Sequence, residues 1–183
     1  MRSTSAIAVV AMLAVASAAS AAAPRPTRAI AASFYSGRWY EIARVPNLGQ
    51  RDCHAPVTQF APVGGKGEVA FISDTGEFSA SQVCRKGSAT GPAKTYVTRG
   101  RILPGSRNAR FQMTFLGGLK TQEYWVLDCA GDGSWAIMAT PGGNYVWLLA
   151  RRPVMSEAAR AAAVARIRAL GYAQKLEFPA QAS

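Results

Sequence analysis

The sequence predicts an all-β domain, an antiparallel meander of short strands followed by one amphipathic helix. Three observations carry that prediction. Between residues 37 and 151, β-branched and aromatic runs are divided by Gly, Pro and Asp. One run, Phe111-Gln112-Met113-Thr114-Phe115, shows the apolar–polar alternation of a half-buried strand. After Pro153 the composition turns to Ala-rich helix formers. A meander of this kind closes as an up-and-down barrel or folds as a sandwich, and the pattern alone leaves both open.

The chain begins with what reads as a signal peptide over residues 1–23. Arg2 supplies a positive start, residues 6–15 are wholly apolar, and residues 16–23 are almost all Ala and Ser. The apolar run is shorter than the roughly 20 residues a spanning helix needs. Ala19-Ser20-Ala21 and Ala21-Ala22-Ala23 both offer an A-x-A cleavage site. Residues 24–33 read as a linker or N-terminal extension, and 34–183 as a single domain.

Strand-like runs follow at 37–45, 55–63, 68–73, 77–84, 94–103, 109–116, 123–129, 134–140 and 144–151. Ala130-Gly131-Asp132-Gly133 and Thr140-Pro141-Gly142-Gly143-Asn144 are turn sequences joining neighbours. The 68–73 run either extends the second strand or forms an inserted hairpin before the third. Ser156 is the expected helix N-cap, Glu157 suits the first turn, and Gly171 is the expected stop. Val164, Ile167 and Leu170 recur at helical spacing as one apolar stripe, with Arg160, Arg166 and Arg168 around it. Lys175 to Phe178 is a candidate edge strand. A single amphipathic helix beside such a sheet most simply packs on its outer face.

Export makes the three cysteines candidates for oxidation. Cys53 enters the second strand and Cys84 leaves the third, so the two meet at adjoining ends of an antiparallel hairpin. That favours a Cys53–Cys84 bridge and leaves Cys129 free. Without C-x-x-C spacing, and with His54 the sole histidine, the cysteines do not read as a zinc site.

Two marks narrow the fold further. Gly37-Arg38-Trp39-Tyr40 stands at the first strand, and Trp147-Leu148-Leu149-Ala150-Arg151-Arg152-Pro153 at the last, directly before the helix. Together they resemble the lipocalins, most closely the bacterial outer-membrane lipocalins and their apolipoprotein D-like relatives. The resemblance covers nearly all of the chain after the leader. It implies an eight-stranded antiparallel up-and-down barrel with the C-terminal helix packed on the outside. It also implies a structural latch at the closed end, with Gly37, Trp39 and Arg151 as its members and the Arg151 guanidinium laid over the Trp39 indole.

The chain departs from these relatives in two places. The lipocalin mark Thr-Asp-Tyr after the sixth strand is absent, and the stretch reads Leu127-Asp128-Cys129-Ala130-Gly131-Asp132. Relatives of this kind are often acylated on a Cys directly after the cleavage site, whereas here the first Cys is Cys53. The mature protein is therefore expected to be exported and soluble, periplasmic or secreted, without a lipid anchor.

A barrel of about eight strands has room inside for side chains or for one small ligand. Residues of Arg151's parity, namely Leu149, Trp147 and Tyr145, are expected to face inward, and in lipocalins this strand gives the pocket an aromatic where Trp147 stands. Phe111, Met113 and Phe115 would form the facing wall, and Tyr145 would hold a ligand's polar end. The alternative is that these residues fill a solid core.

The net charge is +11, but the Arg and Lys residues are scattered. A solvated basic surface accounts for that, and weak contact with anionic membrane surfaces is its most plausible functional form. Nucleic acid is not an expected partner. No G-x-S-x-G, H-E-x-x-H, P-loop or dinucleotide fingerprint is present, and one histidine excludes a two-His site. The reading is thus a monomer or weak dimer with no cofactor, no metal and no catalytic residues. It binds and carries or stores a small hydrophobic ligand, a fatty acid or lysophospholipid. The alternatives are a lipocalin-fold enzyme acting on a lipid or carotenoid-type substrate, and an interaction or inhibitor module using the rim loops.

Overall fold

A computed structural model describes residues 22–63 and 76–181. The strands are β1 (Gly37–Arg44), β2 (His54–Pro62), β3 (Glu77–Arg85), β4 (Ala93–Ile102), β5 (Arg110–Phe115), β6 (Lys120–Cys129), β7 (Trp135–Ala139) and β8 (Val146–Ala150). Each pairs antiparallel with the next, and β1 pairs with β8, so the sheet closes into an eight-stranded up-and-down barrel. Closure, rather than a sandwich, follows from that last pairing, which leaves no open edge. Of the residues read as a signal peptide, 1–21 lie outside the described residues, and so does the 68–73 run.

One helix, α1 (Glu157–Ala169), follows the barrel. The Ser156 side chain caps it by accepting the Ala159 N–H at 3.2 Å, and Gly171 leaves it at φ 97°. Its buried face is Ala163 and Ile167, packed with Trp125, Ile137, Val146 and Leu148 on the outside of the wall. The expected stripe is therefore shifted: Ile167 holds its place, while Val164 and Leu170 are only half-buried beside it. A small Ala at the contact lets the helix approach the strands closely. Lys175 to Phe178 forms no strand, only a single antiparallel bridge between Glu177 and Arg44. Among the described residues no helix is long and apolar enough to cross a membrane.

The interior core begins at the closed end. A 3-10 turn over Ala32–Tyr35 lies across the barrel's base and inserts Tyr35 among Phe60 and Phe111, with Phe78 beside them. These rings meet edge-to-face at centroid distances of 5.6–5.8 Å, the arrangement aromatic quadrupoles favour. Gly100 faces this plug from β4, and a Cβ there would stand 2.4 Å from Phe78 and 2.7 Å from the Met113 sulfur. Only glycine fits at that height of the wall. Gly37 has φ 82°, the left-handed backbone that turns the chain from the 3-10 turn into β1.

Cys53 and Cys84 are disulfide-bonded with Cα atoms 4.9 Å apart, tying the loop before β2 to the end of β3. Cys129 is a buried free thiol at the other end, and burial pushes its pKa up, away from the reactive thiolate.

Candidate functional site

Above the aromatic plug the barrel encloses a cavity of about 620 Å³ that opens at the end where β1 stops and β2 begins. Its wall is largely apolar: Phe60 and Ala80, then Phe111, Met113 and Phe115, with Met138 and Leu149 opposite. Strand alternation explains the set, since every second residue of a barrel strand points inward. On β8 that rule sends Trp147 and Leu149 into the interior and Val146, Leu148 and Ala150 outward under α1.

Five of the residues singled out from the sequence, Trp147, Leu149, Phe111, Met113 and Phe115, come together on this wall. Tyr145 is not among the lining residues. It precedes β8, in the turn after β7, where its carbonyl accepts the Thr140 N–H at 3.1 Å. Alternation has ended there, so Tyr145 stands at the rim, 38% exposed, its ring 6.1 Å from that of Trp147.

Several lining residues carried no signal in the sequence. Tyr124 of β6 stacks on Phe111, with ring centroids 5.5 Å apart and planes 12° from parallel. Burial raises its phenol pKa to about 12. The loop between β1 and β2 bends over the cavity, bringing Asn47, Gly49 and Gln50 to its lining. There the Trp147 indole N–H donates to the Gln50 side-chain oxygen at 2.9 Å, and the Asn47 amide donates to the same atom at 2.7 Å. Gln50 in turn donates to Glu41 Oε2 at 2.7 Å.

Glu41 is buried on the cavity wall, and its other oxygen accepts from Arg44 at 2.6 Å. Arg44 is buried too, and it reaches outward to Glu177 at 2.8 Å. Residues 41 and 44 of a regular strand would face opposite sides. A register shift between Glu41 and Ala43 sets Glu41 beside Leu149 and Arg44 beside Trp147, so both share the inward face. The result is a continuous polar chain from the indole of Trp147 to the outer surface at Glu177.

At the mouth, Tyr96 and Thr98 of β4 line the cavity, and the Lys94 ammonium lies 5.2 Å from the Tyr96 ring centroid. Among the described lining residues Glu41 is the one with a formal charge, so Lys94 is a cation set above a cavity whose own charge is internally paired.

This geometry is an apolar cavity in a closed eight-stranded barrel, stoppered at one end, with a helix on the outer wall. The lipocalin-like domain model matches residues 30–181. The chain belongs to the lipocalin family. No curated protein sequence matches this lipocalin. Solved structures with the same fold include insecticyanin from the tobacco hornworm Manduca sexta, at TM-score 0.63 and 17% identity over 89% of this chain and 88% of that one. Another is the major allergen Per a 4 from cockroaches, at TM-score 0.58 and 14% identity, covering 89% of this chain and 96% of that one. Lobster apocrustacyanin A1 gives TM-score 0.55 and 12% identity over 82% of this chain and 79% of that one. At such identities the likeness is one of fold.

Proposed function

We propose that this lipocalin binds a small hydrophobic molecule in the barrel cavity and carries or stores it. One observation carries the reading: an apolar cavity of about 620 Å³, open at one end, with Trp147 on its wall. That volume lies within the range of roughly 300–1,000 Å³ usual for small-molecule sites. Family membership supports the same class of ligand. A long-chain acyl compound, a fatty acid or lysophospholipid, is the ligand we put forward. Its chain would lie against Phe111, Met113, Phe115 and Leu149, and its carboxylate or phosphate would stay at the mouth near Lys94. Burying about 200–300 Å² of apolar surface yields about 5–9 kcal/mol before entropic costs, at about 25–30 cal/mol per Å². Those costs bring the affinity toward micromolar.

Trp147 makes the test direct. Of the four tryptophans, Trp39 lies beneath the plug and Trp125 and Trp135 belong to the outer cluster, so only Trp147 lines the cavity. Titration with palmitate or lysophosphatidylcholine should give a saturable fluorescence change that persists in 1 M salt. The signal should disappear in Trp147→Phe, and Phe111→Ala should weaken binding about tenfold or more. A change abolished by salt would move the site from the cavity to the basic surface.

We further propose that the chain is exported after cleavage behind Ala21. The disulfide is at home in an oxidising compartment. Ala23 is buried in the outer cluster, and its N–H donates to the Pro141 carbonyl at 3.0 Å, contacts that cleavage behind Ala23 would delete. The intact mass of the exported protein should correspond to a chain starting at Ala22.

A further inference from the structure

The loops at the open end, 45–53, 86–92, 116–119 and 140–145, carry an uncommon exposed surface. Leu48 is 80% exposed, Leu116 74% and Leu119 90%, and Tyr145, on the 140–145 loop, is 38% exposed. A lone exposed Leu needs no explanation, but a group around one opening does. Leu116 also lines the cavity, and Leu48 adjoins Gly49, which does so too, so this apolar collar is continuous with the interior wall.

Leu116 adds a second observation. Its φ is 52°, a left-handed conformation that disfavours any residue with a Cβ, although its side chain is not packed. Glycine would be stable there. The chain instead tolerates strain to hold an apolar side chain at the mouth.

Charge surrounds the same collar. Arg51 and Lys86 lie on these loops, and Lys94 and Lys120 stand where β4 and β6 start from the open end. The loops hold one acid, Asp52, which accepts the Gly87 N–H at 2.9 Å and lies 3.2 Å from His54. Leucines ringed by lysine and arginine suit an interface that is apolar inside and anionic at its surface.

We propose that the open end docks on an anionic lipid bilayer. Leu48, Leu116 and Leu119 enter the interfacial layer, and Arg51, Lys86, Lys94 and Lys120 face the lipid phosphates. The cavity then opens onto the membrane, and an apolar ligand passes between lipid and barrel without crossing water. Each basic residue near such a surface adds about fivefold to the affinity, so a handful acting together gives reversible association. Docking goes beyond ligand binding and rests on other residues.

The test is co-sedimentation of the full-length mature protein with vesicles of phosphatidylcholine alone or with 30 mol% phosphatidylglycerol. Binding should favour the anionic vesicles at least tenfold and weaken in 0.5 M salt. Leu48→Ser/Leu119→Ser, at two exposed positions outside the cavity lining, should lose at least fivefold without a change in melting temperature. Lys86→Gln/Lys120→Gln should lose a similar factor and much of the salt dependence. Failure of the wild type to sediment with anionic vesicles at low salt would overturn the proposal. So would a leucine variant that binds as well as wild type, since scattered charge would then be sufficient. Palmitate titration without vesicles keeps the two readings apart: docking that fails beside intact ligand binding removes only the docking, and the reverse removes only the ligand.

Discussion

The guanidinium carbon of Arg151 lies 3.7 Å from the centroid of the Trp39 ring. The two residues come from opposite ends of the barrel sequence and meet beneath its closed end. Arg151 donates to the carbonyls of Ser36, at 2.5 Å, and of Phe34, so it ties the 3-10 turn to the end of β8. Trp39 donates its indole N–H to the Tyr35 carbonyl at 3.2 Å, fastening the same turn from inside. A planar cation with several donors is needed, because one face covers the ring while the edge serves the carbonyls.

Arg151→Ala should therefore destabilise the protein by about 2–3 kcal/mol, through lost cation–π contact and unpaired carbonyls. Arg151→Lys should recover part of that, keeping the charge but not the fork. Urea midpoints report both. Equal midpoints for wild type and Arg151→Ala would show that the plug holds without its clasp.

The disulfide closes a separation of 31 residues, worth about 3–4 kcal/mol on the chain-entropy view. Cys53→Ser/Cys84→Ser should lower stability by about that amount and loosen the loop that brings Gln50 over the cavity. Cys129 should react with iodoacetamide only after unfolding, since it is buried and burial disfavours its thiolate. Unreduced peptide mapping and alkylation rates check both statements.

The buried Glu41–Arg44 pair predicts an asymmetry. Arg44→Met leaves a carboxylate without its cation and should cost about 3–5 kcal/mol near neutral pH. Glu41→Gln keeps a hydrogen-bonding group beside Gln50 and leaves Arg44 its bond to Glu177, so about 1–2 kcal/mol is expected. Burial already pushes the Glu41 pKa upward, with Arg44 opposing it. Without Arg44 the folded pKa rises further above the unfolded value of about 4.3. A raised folded pKa gives stability that is present below the unfolded value and lost as pH rises. The Arg44→Met defect should therefore shrink as the pH falls toward 4, in urea melts run across pH.

Tyr35, Tyr124 and Tyr172 all have phenol pKa values raised by burial, the latter two to about 12. Below the unfolded value of about 10 they leave stability unchanged by pH. Above it the unfolded chain releases protons that the folded chain keeps, so stability falls as pH climbs through 10 toward 12. Absorbance at 295 nm should show these three tyrosines ionising together with loss of near-ultraviolet circular dichroism. Smooth ionisation of all six tyrosines at pH 10 with the fold intact would contradict this.

The meander, the helix and its cap were legible in the sequence because each depends on local pattern. Alternation of Phe111, Met113 and Phe115, turn residues between runs, and Ser156 before an Ala-rich stretch act over a few residues. The Cys53–Cys84 bridge was legible for a related reason, since two ends of one hairpin must lie side by side. Alternation along the last strand likewise places Trp147 and Leu149 on one face.

What the tertiary structure alone decided are features set by departures from alternation and by filling. The bulge between Glu41 and Ala43 costs one residue of register and turns Arg44 to the side of Glu41. No local pattern announces a bulge, so the buried polar chain to Gln50 and Trp147 could not be read in advance. Parity carried one step past β8 points Tyr145 inward, but the turn ends the alternation there. Whether the barrel is solid or hollow was undecided by composition, because Phe60, Phe78 and Tyr35 fill one half while similar rings line the other. Volume is a property of how side chains from eight strands meet, and a one-dimensional pattern records only which way each of them points.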